Sequence, residues 1–329
     1  MDDKSTIEGW VHAEIDQARI REKFDRFSLL GREEILKLSK LDSTRVIEIL
    51  LLDYLIIVFA AMVSEHYWSL WLYAVVIMVI GARQIGIGSI GLHDGAHGLL
   101  FRNRKLNDLV AICLTEPLFV GLLDMHLNIY RRMHFEHHRH TNDSKDPDAG
   151  IYEHWYERSP RQRILILLMQ LTGAGFLLLV FGKLRNGSLV SRALIVFLAA
   201  AVSCGWIYSF YPVKLALLYW VVPFATWGLF IHTLQTVAEH FPLEFATKED
   251  PAVDQILRTR DTRLSWFDSM FVATRGVNFH LTHHLFPSVP FFRLNRLHRL
   301  ISATDAYRRH AHVNLGYHEV LREVLVSRA

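Results

Sequence analysis

Two short stretches, His134-Phe135-Glu136-His137-His138 and His280-Leu281-Thr282-His283-His284, repeat one pattern, and a third, His93-Asp94-Gly95-Ala96-His97, precedes them. Residues three and four apart share a helix face, so each HxxHH string aims three imidazoles into one small volume and the i, i+4 pair His93/His97 aims two more. With 19 histidines in 329 residues, random placement gives one such string about 0.06 times per chain, so the repeat is a designed feature and a metal-binding reading follows.

Around the boxes lie long apolar segments. The chain is 51% hydrophobic, and four stretches, residues 46–63, 69–91, 190–210 and 213–232, are long enough to cross about 30 Å of hydrocarbon. A fifth, residues 164–181, competes. Were it also a crossing, the second and third boxes would lie on opposite sides and could share no site, so it is expected to be interfacial or re-entrant. Residues 106–121, apolar but interrupted by Asp108, Glu116 and Pro117, are expected to lie along the interface.

Loop charge sets the orientation. The turn at residues 64–68 has no Lys or Arg, whereas the box regions hold Arg102, Arg104, Lys105, Arg131, Arg132, Arg139, Lys183 and Arg185, which places the boxes on the cytosolic side. Residues 1–45 read as charged amphipathic helices leading into a membrane catalytic domain at 46–290, followed by cytosolic helices at 291–329. No leader with an apolar core and cleavage site is visible. With no long N-terminal extension, a bacterial inner membrane is the expected location.

Composition excludes several functions. Net charge of +3 gives no reason to expect a nucleic-acid partner. Cys113 and Cys204 form no Cys-x-x-Cys, which argues against thiolate zinc and a resident iron–sulfur cluster.

The pattern resembles the membrane fatty-acid-desaturase-like superfamily: HxxxH at His93/His97, HxxHH with Asn142 four residues on, and HxxHH at the third box. The flanks Arg83-Gln84, Thr141-Asn142-Asp143, Asp146-Pro147-Asp148 and Asn278, with Leu285-Phe286-Pro287-Ser288-Val289-Pro290, add to it. The resemblance covers roughly residues 81–298. It implies an all-α integral membrane protein in which four transmembrane helices carry a cytosolic, histidine-rich di-iron cap.

A ninth histidine, at the cytosolic end of the fourth span, is implied by the resemblance, and His240 is the candidate. Some members place Asn four residues before it, where this chain has Thr236 with Gln235 beside it. The expected ligand set is therefore His93, His97, His134, His137, His138, His240, His280, His283 and His284. Asp94, Glu136, Asn142, Gln235, Glu239 and Asn278 are candidates to support those ligands. His126, His140, His154 and His232 are read as non-ligands.

So many imidazoles exceed the four ligands that satisfy zinc, and two redox-active irons, with O2 as co-substrate, can break an unactivated C–H bond. The expected activity is desaturation of an acyl chain or other lipophilic substrate. Alternatives are hydroxylation or ketolation of a carotenoid, lipid or small metabolite by the same machinery and, from another class, a zinc hydrolase or receptor. Electrons must come from an external ferredoxin or cytochrome b5 type donor with its reductase. Arg131, Arg132, Arg139, Arg293, Arg296 and Arg299 are candidates to dock it, or to meet lipid head groups.

Overall fold

The computed structural model describes residues 29–119, 127–142, 145–149, 155, 157–207, 210–240, 256 and 258–326; the amphipathic reading of the first 28 residues, together with His126 and His154, falls outside them. In chain order the helices are α1 (Arg32–Leu38), α2 (Ser43–His66), α3 (Leu70–His97), α4 (Arg104–Phe119), α5 (Leu127–His140), α6 (Pro160–Leu171), α7 (Ala174–Asn186), α8 (Leu189–Ile207) and α9 (Tyr211–His240). Then follow α10 (Trp266–Phe271), α11 (His280–Leu285), α12 (Phe291–Ile301), α13 (Asp305–His310) and α14 (Tyr317–Val326). A two-stranded parallel sheet pairs β1 (Arg260–Thr262) with β2 (His312–Asn314).

Among the described residues α2, α3 and α9 are long and apolar enough to cross a membrane. Leu51, Leu55, Phe59 and Met62 form an exposed stripe on α2, while Val46, Ile49, Asp53 and Ile57 turn inward. That is the arrangement of a helix between lipid and protein. Trp68 and Trp71 are exposed at the α2–α3 turn, where amphipathic rings meet head groups.

The 28 residues of α3 and 30 of α9 run about 42 and 45 Å at 1.5 Å per residue. Each outruns about 30 Å of hydrocarbon. The surplus is long enough for the ends that carry His93, His97 and His240 to extend beyond the apolar layer.

The expected fifth apolar stretch is two helices, α6 and α7, meeting at 85°. Gly173 makes the corner, at φ +78°, a conformation open to glycine. Box two and box three meet in space, as described below, so the chain between them crosses an even number of times. With α9 as one crossing, one further crossing is required; the bent α6–α7 pair, whose two arms together are long and apolar enough for a broken span, and the shorter apolar α8 are the two segments between the boxes that offer it.

Three π-helical turns interrupt the spans: Ile90–Asp94 in α3, and Leu217–Val221 and Phe224–Gly228 in α9. Such turns leave carbonyls out of the helical ladder and favour functional sites. Tyr73 Oη donates to Leu218 O at 2.9 Å and Gln84 Nε2 to Trp220 O at 2.8 Å, which ties α3 to the first of these turns in α9. At Gly81 an added Cβ would stand 2.9 Å from Pro223 O, so only glycine permits this approach.

Candidate metal centre

Box one ends α3. Its last turn is gripped by Arg131 of α5, whose Nε donates to Ala96 O at 2.9 Å and Nη2 to Gly95 O at 3.2 Å, with Asp108 Oδ1 2.6 Å from Nη2. Arg131 is buried, which removes it from any docking face; it fixes box two against box one. Asn107 of α4 donates to the same Gly95 carbonyl at 2.9 Å.

The imidazoles gather in two groups. Donor atoms of His93, His97, His134, His138 and His283 all lie within 4.8 Å of one another, and so do those of His137, His240 and His280. His284 lies between the groups, its ring centroid 4.1 Å from that of His138, 4.4 Å from that of His280 and 5.0 Å from that of His137. All nine histidines singled out by the sequence are thus in one place.

The spacing between nitrogens carries chemical information. Nε2 atoms of His97 and His134 are 3.0 Å apart, those of His134 and His138 3.1 Å, and those of His138 and His283 3.1 Å. In the second group His240 and His280 are 3.1 Å apart. Five ligand atoms held this closely could share one ion, one more than the four that satisfy zinc. His284 Nε2 is buried without a hydrogen-bond partner, a lone pair that a metal would satisfy.

Electrostatics favour the same use. Burial, and then the neighbouring imidazoles, push His134, His138, His280, His283 and His284 well below the ordinary histidine range. These rings are neutral at pH 7, the form that ligates metal.

Carboxylates and a hydroxyl stand behind the rings. Asp146 Oδ1 accepts from His137 Nδ1 at 2.9 Å, and its own position is fixed by the amides of Asn142 and Asp148, at 2.8 and 2.9 Å. That contact leaves the Nε2 lone pair of His137 facing the second group. Asp94 Oδ1 is 3.1 Å from His93 Nδ1, and its Oδ2 accepts from Phe291 N at 3.0 Å. Thr141 Oγ1 lies 3.2 Å from His284 Nδ1 and Glu239 Oε2 3.7 Å from His280 Nδ1.

Other supporting candidates sit differently. Glu136 is half-exposed and pairs with Arg139 at 2.6 Å and with His140 at 3.7 Å, because it lies on the solvent face of α5, away from the boxes. Gln235 Nε2 donates to Val272 O at 2.6 Å, bracing the loop before box three, and Asn278 Nδ2 donates to Thr262 O at 2.9 Å. Asn142, with φ 57°, ties the end of box two to Arg258 O. His232 is exposed on α9, off both groups. Arg293 is spent on the carbonyls of Lys37, Leu38 and Lys40, and Arg296 pairs with Glu34 at 3.3 Å. Sequence reading missed Asp146 as an orienting group, although its Asp-Pro-Asp setting was visible beside box two.

This fold and site define a class: helical membrane proteins whose extended spans carry a histidine-rich head that could bind metal. Residues 69–316 match the family model described as fatty acid desaturase, and the chain belongs to that family of oxidoreductases. It is 26% identical over 261 residues to the dihydrorhizobitoxine desaturase of Bradyrhizobium elkanii, covering 73% of this chain and 71% of that one. It is 25% identical over 260 residues to the sn-1 oleoyl-lipid 12-desaturase of Anabaena variabilis, covering 71% of each.

Proposed function

We propose that the protein is an O2-dependent non-haem di-iron desaturase of a lipophilic substrate. The observation that carries this reading is the double group of imidazoles, too numerous for one ion. His93, His97, His134, His138 and His283 would hold one iron, and His137, His240, His280 and His284 the other. Bound there, iron supplies the activation of O2 and the removal of two hydrogens from adjacent carbons.

Overall, a –CH2–CH2– unit, O2, two electrons and two protons give –CH=CH– and two waters. The electrons come from an external donor of ferredoxin or cytochrome b5 type. The residues of this chain do the positioning: Asp146 and Asp94 fix the rings of His137 and His93, and Arg131 locks box two to box one. The exposed apolar surfaces of α2 and α8 support a head held at the membrane, where a lipophilic substrate is concentrated, and loop charge supports a cytosolic orientation. The named substrates of the two bacterial relatives, a lipid-linked oleoyl chain and dihydrorhizobitoxine, support both an acyl chain and a smaller metabolite as substrate classes.

The test is metal content of detergent-purified protein grown with ample iron, beside His137→Ala and His283→Ala. About two irons in the parent and a loss in both variants is expected; one zinc with no iron overturns the reading. Metabolite and lipid profiles of expressing cells then separate desaturation from hydroxylation, since the hydroxylated product keeps one oxygen atom of O2.

A further inference from the structure

We infer that Arg260 and Asp261, consecutive residues of β1, form a positioning bracket that sets His240 against the third histidine box. This rests on the two-metal reading above. Neighbouring residues of a strand point to opposite faces, so one short strand reaches two helices at once.

On one side Arg260 is fully buried. Its Nε donates to Ala238 O and its Nη2 to Val237 O, each at 3.0 Å, and Nη1 pairs with Glu323 of α14 at 3.0 Å. Those carbonyls belong to the last turn of α9, where helix carbonyls lack intrahelical partners. Arg260 thus caps the turn that carries His240, and its positive charge suits that helix end. Asn314 of β2 adds a further bond to Ala238 O at 3.1 Å.

On the other side Asp261 accepts four hydrogen bonds. Thr282 N donates to Oδ1 at 3.1 Å, while Thr282 Oγ1, His298 Nδ1 and Tyr307 Oη approach Oδ2 at 2.5, 3.0 and 2.6 Å. Helix α11 has no side-chain cap of its own, so the Thr282 amide would be an orphan of its first turn. Asp261 supplies the missing cap from another element, on the residue that lies between His280 and His283. Burial, and then Asp261, hold the Tyr307 phenol well above its ordinary range, so it stays protonated and able to donate.

The bracket closes on itself. Thr262 N donates to Asn278 O at 2.8 Å, Asn278 Nδ2 returns a bond to Thr262 O, and Arg263 N donates to Asn314 O at 2.9 Å. Helices α12, α13 and α14, which supply His298, Tyr307 and Glu323, thereby take part in placing His240 Nε2 3.1 Å from His280 Nε2. Sequence alone gave no sign of this, because Arg260-Asp261-Thr262 lies outside every box.

The experiment is a titration of the metal-free full-length protein in detergent with Co2+, reading the visible d–d bands and the number of ions bound. The variants are Asp261→Asn, Arg260→Met and Arg260→Lys, with Thr282→Val as the mildest change. Tyr219→Phe, at the far ends of the spans, is the control for general destabilisation. Two ions are expected in the parent. Second-ion affinity should fall about 10- to 100-fold in Asp261→Asn and Arg260→Met, the range seen when groups supporting metal ligands are removed. Arg260→Lys should restore part of it, and the control should leave the d–d bands unchanged. Should the first two variants fail to fold, Thr282→Val alone decides, with a weaker second site expected. Two tight ions with parental spectra in folded variants, or an equal loss in the control, would overturn the bracket. A parent that binds fewer than two Co2+ refutes the two-metal reading itself, which separates that failure from the bracket's.

Discussion

Arg275 holds Asp53 with two nitrogens, Nε at 2.7 Å from Oδ2 and Nη2 on Oδ1, across the boundary between the loop before box three and the inward face of α2. Asp53 is fully buried, and Arg83 of α3 stands 3.6 Å from the same Oδ1. Arg275 pays for this contact with a left-handed backbone, φ 62°. The end of α10 and the start of this loop are also stitched to the spans, through the carbonyls of Met270, Phe271 and Val272, which accept from Arg83, Trp227 and Gln235.

One buried carboxylate facing two guanidinium groups makes the removal of its members unequal. Asp53→Asn leaves two unneutralised cations, whereas Arg275→Met leaves Asp53 with Arg83. Breaking a buried pair costs about 3–5 kcal/mol, so both variants should melt lower in detergent, Asp53→Asn by the larger margin. Equal melting temperatures would refute the shared-charge account.

Asp146 and Glu136 are both acidic neighbours of box two, yet they should behave differently. Asp146→Asn loses the acceptor that sets the His137 ring, and metal affinity should fall about 10- to 100-fold. Glu136→Ala removes only surface pairs and should change stability by less than about 0.5 kcal/mol, with metal content unaltered. Parallel metal analysis of the two purified variants checks both outcomes.

Two side-chain bonds tie α3 to a π-turn of α9. Gln84→Leu removes the 2.8 Å bond to Trp220 O and Tyr73→Phe the 2.9 Å bond to Leu218 O. A hydrogen bond of this kind contributes about 0.5–1.5 kcal/mol. Each variant should therefore show a lower melting temperature than the exposed Val75→Ala, which serves as the reference.

His312, on β2 beside the bracket, has its pKa lowered to about 4 by burial and then by the charge of Arg260. An unfolded chain protonates that ring near 6.5. Between those values the unfolded state binds the proton that the folded state refuses, so this group's contribution is constant above pH 6.5 and is lost as the pH falls toward 4. His312→Gln should accordingly lose less thermal stability than the parent between pH 7.5 and pH 5.

The boxes and spans could be read in the sequence because both rest on local periodicity: ligands at i, i+3 and i+4, and apolar runs of fixed length. Side-chain partners far apart in the chain leave no such trace. Arg131 looked like one more basic residue beside a membrane, and only the fold shows it beneath box one. Glu136 was the candidate by its place inside box two, but the helix turns it outward, and Asp146 stands behind His137 instead. The corner at Gly173 was hidden inside an apolar run that composition alone would draw straight.

The imidazoles brought together here are drawn from the ends of α3 and α9 and from α5 and α11, spread from residue 93 to residue 284. During synthesis, no nascent chain that stops short of box three can complete either group, and the groups that cap box three extend to Tyr307. On the di-iron reading, metal loading would then be a late event, following membrane insertion of the spans, and a product truncated before box three would lack the ligands for a complete pair of ions.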